Sequence, residues 1–331
     1  MGARRGRGRL AAAAVTSVAA VLLAGCAALG GTQAAAPPAA DGGAPTPVRV
    51  SIMPTTDLAP LHLAERNGWF AEEGLDVETV TVPSGQASIQ SLIGGDVDIA
   101  YSSYGPFFVA LDKGAADLRF VADASSLSPD SSVVVAMPGS GVGSVADLAG
   151  KRIAVTAAGS ISDALVKSAM RESGVDFSGV QWVSIPFPDT PAALERGDVD
   201  AAFLTEPFVT LAERGVGAVV VVDTSTGPAT GLPTAGYASL AGFSEQNPAT
   251  VAAFRRVLQR AVDASADRDL VNPLLVEYSK VDAQTAAAAT LLDFHAEPRA
   301  DQLQRVPDLL LEFGVIGEPL DVAPLIAPVD G

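Results

Sequence analysis

Apolar and polar residues alternate through Val48-Arg49-Val50-Ser51-Ile52 and again through Asp76-Val77-Glu78-Thr79-Val80-Thr81-Val82, the period-two pattern of half-buried strands. Between them, residues 59–67 set Leu61, Leu63 and Ala64 at helical spacing, and Gly68 stops the run. Ser84-Gly85-Gln86 then opens a helix holding Ile89, Leu92 and Ile93, with Ser84 as its N-cap, and a strand follows at residues 97–101. Strand, helix, strand, helix, strand is the order of a parallel sheet wound with helices. The order restarts after Ser132-Val133-Val134-Val135-Ala136-Met137, where Pro138-Gly139-Ser140-Gly141 breaks the chain. Here a strand at residues 152–155 is followed by a helix opened at Gly159-Ser160, with Leu165, Ala169 and Met170 on one face. Gln181-Trp182-Val183-Ser184-Ile185 is the next strand, and a helix over residues 190–196 feeds another. Residues 219–222 form a continuous apolar strand, and Tyr237-Ala238-Ser239-Leu240 crosses back. Beyond residue 245 the pattern is helical. Asn247-Pro248 starts a helix with a stripe of Val251, Phe254, Val257, Leu258, Ala261 and Val262. Asp282 caps an alanine-rich helix carrying Leu291, Leu292 and Phe294, and a last helix from Leu303 to Phe313 stops at Gly314.

The two halves share a phrase. Ser91-Leu92-Ile93-Gly94-Gly95-Asp96-Val97-Asp98-Ile99-Ala100 matches Ala193-Leu194-Glu195-Arg196-Gly197-Asp198-Val199-Asp200-Ala201-Ala202, and the loops beyond close with Pro106-Phe107 and Pro207-Phe208. One helix–turn–strand unit is used twice, which predicts two similar α/β lobes. Open α/β sheets bind ligands at the carboxyl ends of their strands, so two such lobes face to face make a binding cleft. The expected division is lobe I at residues 48–137 plus 236–331 and lobe II at residues 138–235. The terminal helices return to cover lobe I, with hinges near residues 137–139 and 235–237.

Charge and the first residues change the picture. Arg4, Arg5, Arg7 and Arg9 precede an apolar run that ends by Ala24, too short for the ~20 residues of a spanning helix, as in a secretory signal over residues 1–25. Leu23-Ala24-Gly25-Cys26 resembles the bacterial lipobox, which implies lipidation of Cys26 and anchoring of an extracytoplasmic protein to the cell membrane. Residues 26–47, rich in Ala, Pro and Gly, then read as the lipidated cysteine and a flexible tether. Cys26 is the only cysteine of the 331 residues, so neither a disulfide nor a cysteine zinc site is available; neither a cofactor nor a metal is expected. Loss of residues 1–25 removes four of the 21 basic residues and none of the 38 acidic ones, taking the net charge from −17 to −21. Such a surface repels nucleic acid and anionic headgroups, leaving the lipid as the means of attachment.

Candidate ligand groups lie in the loops that leave the predicted strands. Pro54-Thr55-Thr56-Asp57 and Ser84-Gly85-Gln86 follow the first two strands, and Ser102, Ser103 and Tyr104 follow the third. In the second half the corresponding places hold Gly159-Ser160, Phe187-Pro188-Asp189 and Thr205-Glu206. Gly159-Ser160 at a helix start offers free amides to an anion, or Ser160 is a plain N-cap. The hydroxyls of Ser102, Ser103 and Thr205 are open to ligand bonding or turn chemistry, Tyr104 to stacking on a ligand, and Glu206 to an amine or to capping. None of these loops contains Lys, Arg or His. A small inorganic anion calls for a basic partner, so a neutral or amine-bearing organic solute, such as an aminopyrimidine or a taurine-like zwitterion, is expected instead. Catalysis by Ser160 is disfavoured, because Ala158-Gly159-Ser160-Ile161-Ser162 lacks a nucleophile elbow's second glycine and neither His62 nor His295 sits in a cleft loop.

Asn67-Gly68-Trp69-Phe70-Ala71-Glu72-Glu73-Gly74-Leu75-Asp76-Val77-Glu78 resembles a phrase of the bacterial solute-binding proteins of importers for nitrate, sulfonates, taurine and thiamine-pyrimidine precursors, the NMT1/THI5-like and SsuA-like family. Asp147-Leu148-Ala149-Gly150-Lys151-Arg152-Ile153-Ala154-Val155, Gly197-Asp198-Val199-Asp200-Ala201 and Glu206-Pro207-Phe208 resemble it further, in the family's order. The resemblance implies a two-lobe, type II periplasmic-binding-protein-like α/β fold that closes on its solute. It also implies a partnership with an ABC permease and its ATPase, with the chain acting as a monomer and not as an enzyme. Trp69 and Phe70 are expected to anchor the core. Two alternatives stay open. Pyrimidine synthases share the resembled fold but require a cysteine-rich motif and a donor histidine, and a ligand sensor would signal to a membrane kinase.

Overall fold

The computed structural model describes residues 44–328, so the signal segment, Cys26 and most of the tether lie outside the described residues. The chain begins with β1 (Thr46–Ile52), α1 (Ala59–Arg66), α2 (Trp69–Glu72), β2 (Leu75–Thr81), α3 (Gly85–Gly94), β3 (Ile99–Ser103), α4 (Tyr104–Asp112) and β4 (Leu118–Ser126). It continues through β5 (Ser132–Ala136), β6 (Arg152–Val155), α5 (Ile161–Glu172), β7 (Gln181–Ser184), α6 (Thr190–Arg196), β8 (Ala201–Thr205), α7 (Phe208–Val216) and β9 (Val219–Asp223). The last stretch comprises β10 (Pro233–Leu240), α8 (Ala241–Gln246), α9 (Pro248–Ala264), α10 (Arg268–Tyr278), α11 (Ala283–Ala288), β11 (Asp293–Phe294), α12 (Ala300–Leu303) and α13 (Arg305–Glu312).

These strands form two sheets with one plan. The first runs β11-β4-β10-β3-β1-β2 and the second β7-β6-β8-β5-β9. In each, three parallel strands come from a β-α-β-α-β unit: β1 lies between β2 and β3, and β6 between β7 and β8. The fourth strand is antiparallel and is delivered by the chain as it crosses from the other sheet, β10 beside β3 and β5 beside β8. Two crossings therefore join the lobes, at residues 127–131 and 224–232. This corrects the expected division. Ser132–Ala136 belongs to the second sheet, paired with β8 and β9, and the return to the first begins at Pro233. An apolar run announces a strand but not the sheet that takes it.

The repeated phrase has one structural job, done twice. Gly95 and Gly197 end α3 and α6 at φ +78° and +70°, the left-handed cap where a side chain is strained. The second aspartate of each Asp-Val-Asp then grips an arginine of the neighbouring parallel strand, Arg49 within β1 and Arg152 at the start of β6. Asp98 Oδ2 accepts from Arg49 N at 2.9 Å and Nε at 3.1 Å, and Oδ1 from Nη2 at 2.9 Å. Asp200 makes the same three bonds to Arg152, at 2.8, 3.2 and 2.7 Å. The arginine hydrogen bond holds the Asp200 carboxyl below the usual carboxylate range.

Phe70 is buried and stacks on Phe254 of α9 at 5.5 Å, and the Arg260 guanidinium lies over the Trp69 ring at 4.2 Å, so both aromatics pack against α9, which covers the first sheet. A second apolar cluster is continuous from Phe107, Phe108 and Phe120 of the first lobe, through Leu303, Val306 and Leu310, to Ile153, Leu165 and Phe203 of the second. The C-terminal helical segment thus packs against both lobes. Three helix readings shift. The alanine-rich helix ends at Ala288, leaving Leu291 and Leu292 in a loop and Phe294 in β11; the last helix divides into α12 and α13; and Asn247 Nδ2 donates to Phe243 O of the preceding helix instead of capping α9.

Candidate ligand cleft

The parallel strands of both sheets end at a common cleft of about 590 Å³, within the range of small-molecule sites. Its walls are the expected loops: Thr55 and Asp57 after β1, Ser84, Gly85 and Gln86 after β2, Ser103 at the end of β3, Ser160 before α5, Asp189 after β7 and Thr205 at the end of β8. Antiparallel β5 and β10 contribute their beginnings instead, Ser132, Thr234 and Ala235, because they run the opposite way. Among the described residues, no Lys, Arg or His lines the cleft, and the charged residues that do are Asp57 and Asp189.

Local structure explains each position. Ser84 caps α3 by accepting from Ala87 N at 3.2 Å, which presents Gly85 and Gln86 to the cleft. Gly85 presses on β3 so closely that a Cβ there would sit 2.2 Å from Ser102 Oγ. At the start of α5, Ser160 Oγ lies 2.6 Å from Ser162 Oγ, which lies 3.1 Å from Thr156 Oγ1, and Ser160 also donates to Ala157 O at 2.7 Å. Ser160 occupies the N-cap position but makes no side-chain cap bond. Thr205 Oγ1 donates to Ser131 O at 3.0 Å, tying the end of β8 to the first crossing. Phe187 stacks on Phe208 at 5.5 Å and leans on Phe203, giving the second lobe an aromatic wall.

Five expected contacts belong elsewhere. Tyr104 is fully buried among Phe107, Phe108 and Phe120, and its hydroxyl donates to Asp123 Oδ1 at 2.9 Å. It fills the core because α4 starts at Tyr104 and turns it away from the cleft. Glu206 is 3% exposed and committed to capping: Oε2 accepts from Thr210 N and Oε1 from Thr210 Oγ1 and Thr290 N. Burial raises its carboxyl pKa, and the Thr210 and Thr290 hydrogen bonds oppose the rise. Ser102 lies under Gly85, with an Oγ that has no hydrogen-bond partner. Thr56 is buried and donates to Glu206 O at 3.4 Å. Gly159 donates its N–H to Asp163 Oδ2 and does not line the cleft, whereas its neighbour Ser160 does.

Other contributors escaped the sequence reading. Met53, Thr81, Val82, Thr156, Ser162, Phe203 and Phe208 lie at strand ends or helix starts, where the loop rule reaches them once boundaries are known. Ser132 and Thr234 could not be found that way, since only strand direction puts them at the cleft. His295 Nε2 lies 2.6 Å from Ser126 Oγ, but neither residue lines the cleft.

The family described as NMT1/THI5 like matches residues 55–268. The taurine-binding periplasmic protein of Escherichia coli K12 is 29% identical over 219 residues, 66% of this chain and 65% of its own length. Among solved structures, the alkanesulfonate-binding protein SsuA from Xanthomonas axonopodis pv. citri, bound to MOPS, aligns with a TM-score of 0.74 at 21% identity, over 86% of this chain and 99% of that one. The nitrate-binding protein NrtA from Synechocystis PCC 6803 aligns with a TM-score of 0.71 at 16% identity, over 84% of each chain. These structures share the two-lobe binding-protein fold.

Proposed function

This chain belongs to the NMT1/THI5-like family, and from that premise we propose that it is the extracytoplasmic solute-binding component of an ABC importer. It captures a small organic solute by closing its two lobes and delivers it to the permease. The observation that carries this reading is the cleft of about 590 Å³ walled by loops of both sheets. A solute touching both walls favours the closed arrangement by its differential contacts, which a permease can then recognise. The taurine- and alkanesulfonate-binding relatives support the role. Binding rather than catalysis fits the lining, where among the described residues hydroxyls stand without a histidine or lysine to deprotonate them.

Lipidation of Cys26 would hold the protein at the membrane, with residues 27–47 as the tether and one copy per solute. Mass spectrometry of intact protein from membranes would carry a diacylglyceryl mass on a chain starting at Cys26 if so, and an unmodified chain would remove the anchor. Native mass spectrometry combined with small-angle scattering tests the main reading. A co-purified or added small molecule should bind one to one and alter lobe spacing, whereas turnover of that molecule would favour an enzyme.

A further inference from the structure

Asp57 is a buried carboxylate of the cleft to which no described residue brings a counter-charge. It follows β1 in a short turn over Thr56–Leu58, lines the cleft and is 5% exposed. Oδ2 accepts from Ser125 Oγ at 3.2 Å, and Ser125 is itself bonded to Thr234 Oγ1 at 2.7 Å. Oδ1 has no hydrogen-bond partner. Among the described residues, no ion pair involves Asp57 and no cationic side chain lines the cleft. A carboxylate taken out of water without a counter-charge is strongly disfavoured, and proteins avoid such placements unless a partner arrives.

The surroundings hold that carboxylate in place. Tyr278 donates its hydroxyl to Thr55 O at 2.9 Å and to Thr56 O at 3.3 Å, fixing the turn that carries Asp57. Thr55 Oγ1 and the Tyr101 hydroxyl are 3.1 Å apart beside it. Burial first, and then the Asp57 charge, push the phenols of Tyr101, Tyr237 and Tyr278 well above their usual range, with a hydrogen bond to Asp57 adding to the rise at Tyr101; the phenols stay neutral and supply no positive charge. Across the cleft stand Phe187, Phe203 and Phe208. The result is an acidic, hydroxyl-edged end facing an aromatic wall.

Resting on the solute-binding reading, we propose that the solute is an organic cation, a primary ammonium or amidinium on a small apolar or aromatic body, whose N–H groups bind Asp57 Oδ1. The cation supplies the missing counter-charge, and the aromatic wall takes the body by stacking and cation–π contact. A simple sulfonate or nitrate would meet no basic side chain there and would face Asp57 instead.

The test uses the mature chain and its Asp57→Asn variant, titrated calorimetrically with benzylamine, benzamidine, benzyl alcohol, benzenesulfonate, taurine and nitrate. The wild type should bind the two cations at least tenfold more tightly than benzyl alcohol. D57N should lose at least tenfold in affinity for the cations with benzyl alcohol unchanged. Without ligand, D57N should melt higher than wild type, because it removes an unpaired buried charge while keeping an acceptor for Ser125. Preference for a sulfonate or nitrate over the cations overturns the proposal but leaves the solute-binding reading standing. So does a D57N that melts lower than wild type without ligand and keeps its cation affinity. Binding by none of the compounds, with no solute carried through purification, overturns both.

Discussion

Asp123 is buried in β4 with its Oδ1 accepting from Tyr104 and from Ala124 N, and burial pushes its pKa up from 3.8 to about 7 against those hydrogen bonds. Because the folded value lies above the unfolded one, the folded protein retains a proton that the unfolded chain releases between about pH 4 and 7. Stability therefore falls as pH rises through that window, by up to about 4 kcal/mol from this group, and is level above it. Asp123→Asn should flatten that slope, read as urea midpoints at pH 4.5, 6 and 8; a slope equal to wild type would refute the assignment. Gly85 makes a steric prediction. Its alanine variant would drive a methyl onto Ser102 Oγ and should cost about 1–3 kcal/mol while weakening solute binding. Ser102→Ala removes an oxygen that has no partner, so it should be near neutral alone and recover part of the G85A loss in the double variant. Additive losses would show that the two positions do not touch. Of these two expected ligand contacts, Gly85 lines the cleft and Ser102 lies behind it as support.

At the scale of elements, the two aspartate–arginine clamps are the physical content of the duplicated phrase. Each ties the start of one parallel strand to its neighbour on the side away from the cleft, so the carboxyl ends of those strands are set from behind. The Asp200 carboxyl is held low mainly by Arg152, so its contribution is present above the ordinary aspartate pKa and is lost as pH falls through the depressed folded value. Asp200→Asn should lower the melting temperature at neutral pH and shorten the acid-unfolding limb, and a variant with wild-type acid unfolding would argue against the clamp. Helices α4 and α7 escaped the sequence reading, as did, among the strands, β4, Leu-Arg-Phe-Val-Ala-Asp-Ala-Ser-Ser. The strand was missed for a physical reason. It is buried along nearly its whole length between β10 and β11, so it has no polar face to alternate with, and its small residues carry little apolar signal. β10, Pro-Thr-Ala-Gly-Tyr-Ala-Ser-Leu, was only half seen for the same reason.

At the scale of the whole molecule, one apolar cluster passes from α4 through the C-terminal helices into the second lobe, which predicts that the lobes unfold as one cooperative unit. Calorimetry should find a single unfolding transition, and Leu310→Ala, at a fully buried position of that cluster, should lower it by about 2–5 kcal/mol without splitting it. Two resolved transitions would mean that the lobes unfold separately. The sequence by itself determined the two α/β units, the Gly-Asp-Val-Asp turns, the Ser84 cap and the loops that reach the cleft, because those follow from hydrophobic period and turn chemistry a few residues long. It also limited the charge available to a solute, since none of those loops holds a basic residue. Only the tertiary structure decided which sheet took Ser132–Ala136, which brought Ser132 and Thr234 to the cleft, and that Tyr104 and Glu206 turn inward while Asp57 is left without a partner at Oδ1. Those outcomes depend on strand direction and on neighbours far apart in the sequence, such as Glu206 with Thr290 and Ala235 with Ser103. Local pattern places a residue on an element, and packing alone determines what its side chain meets.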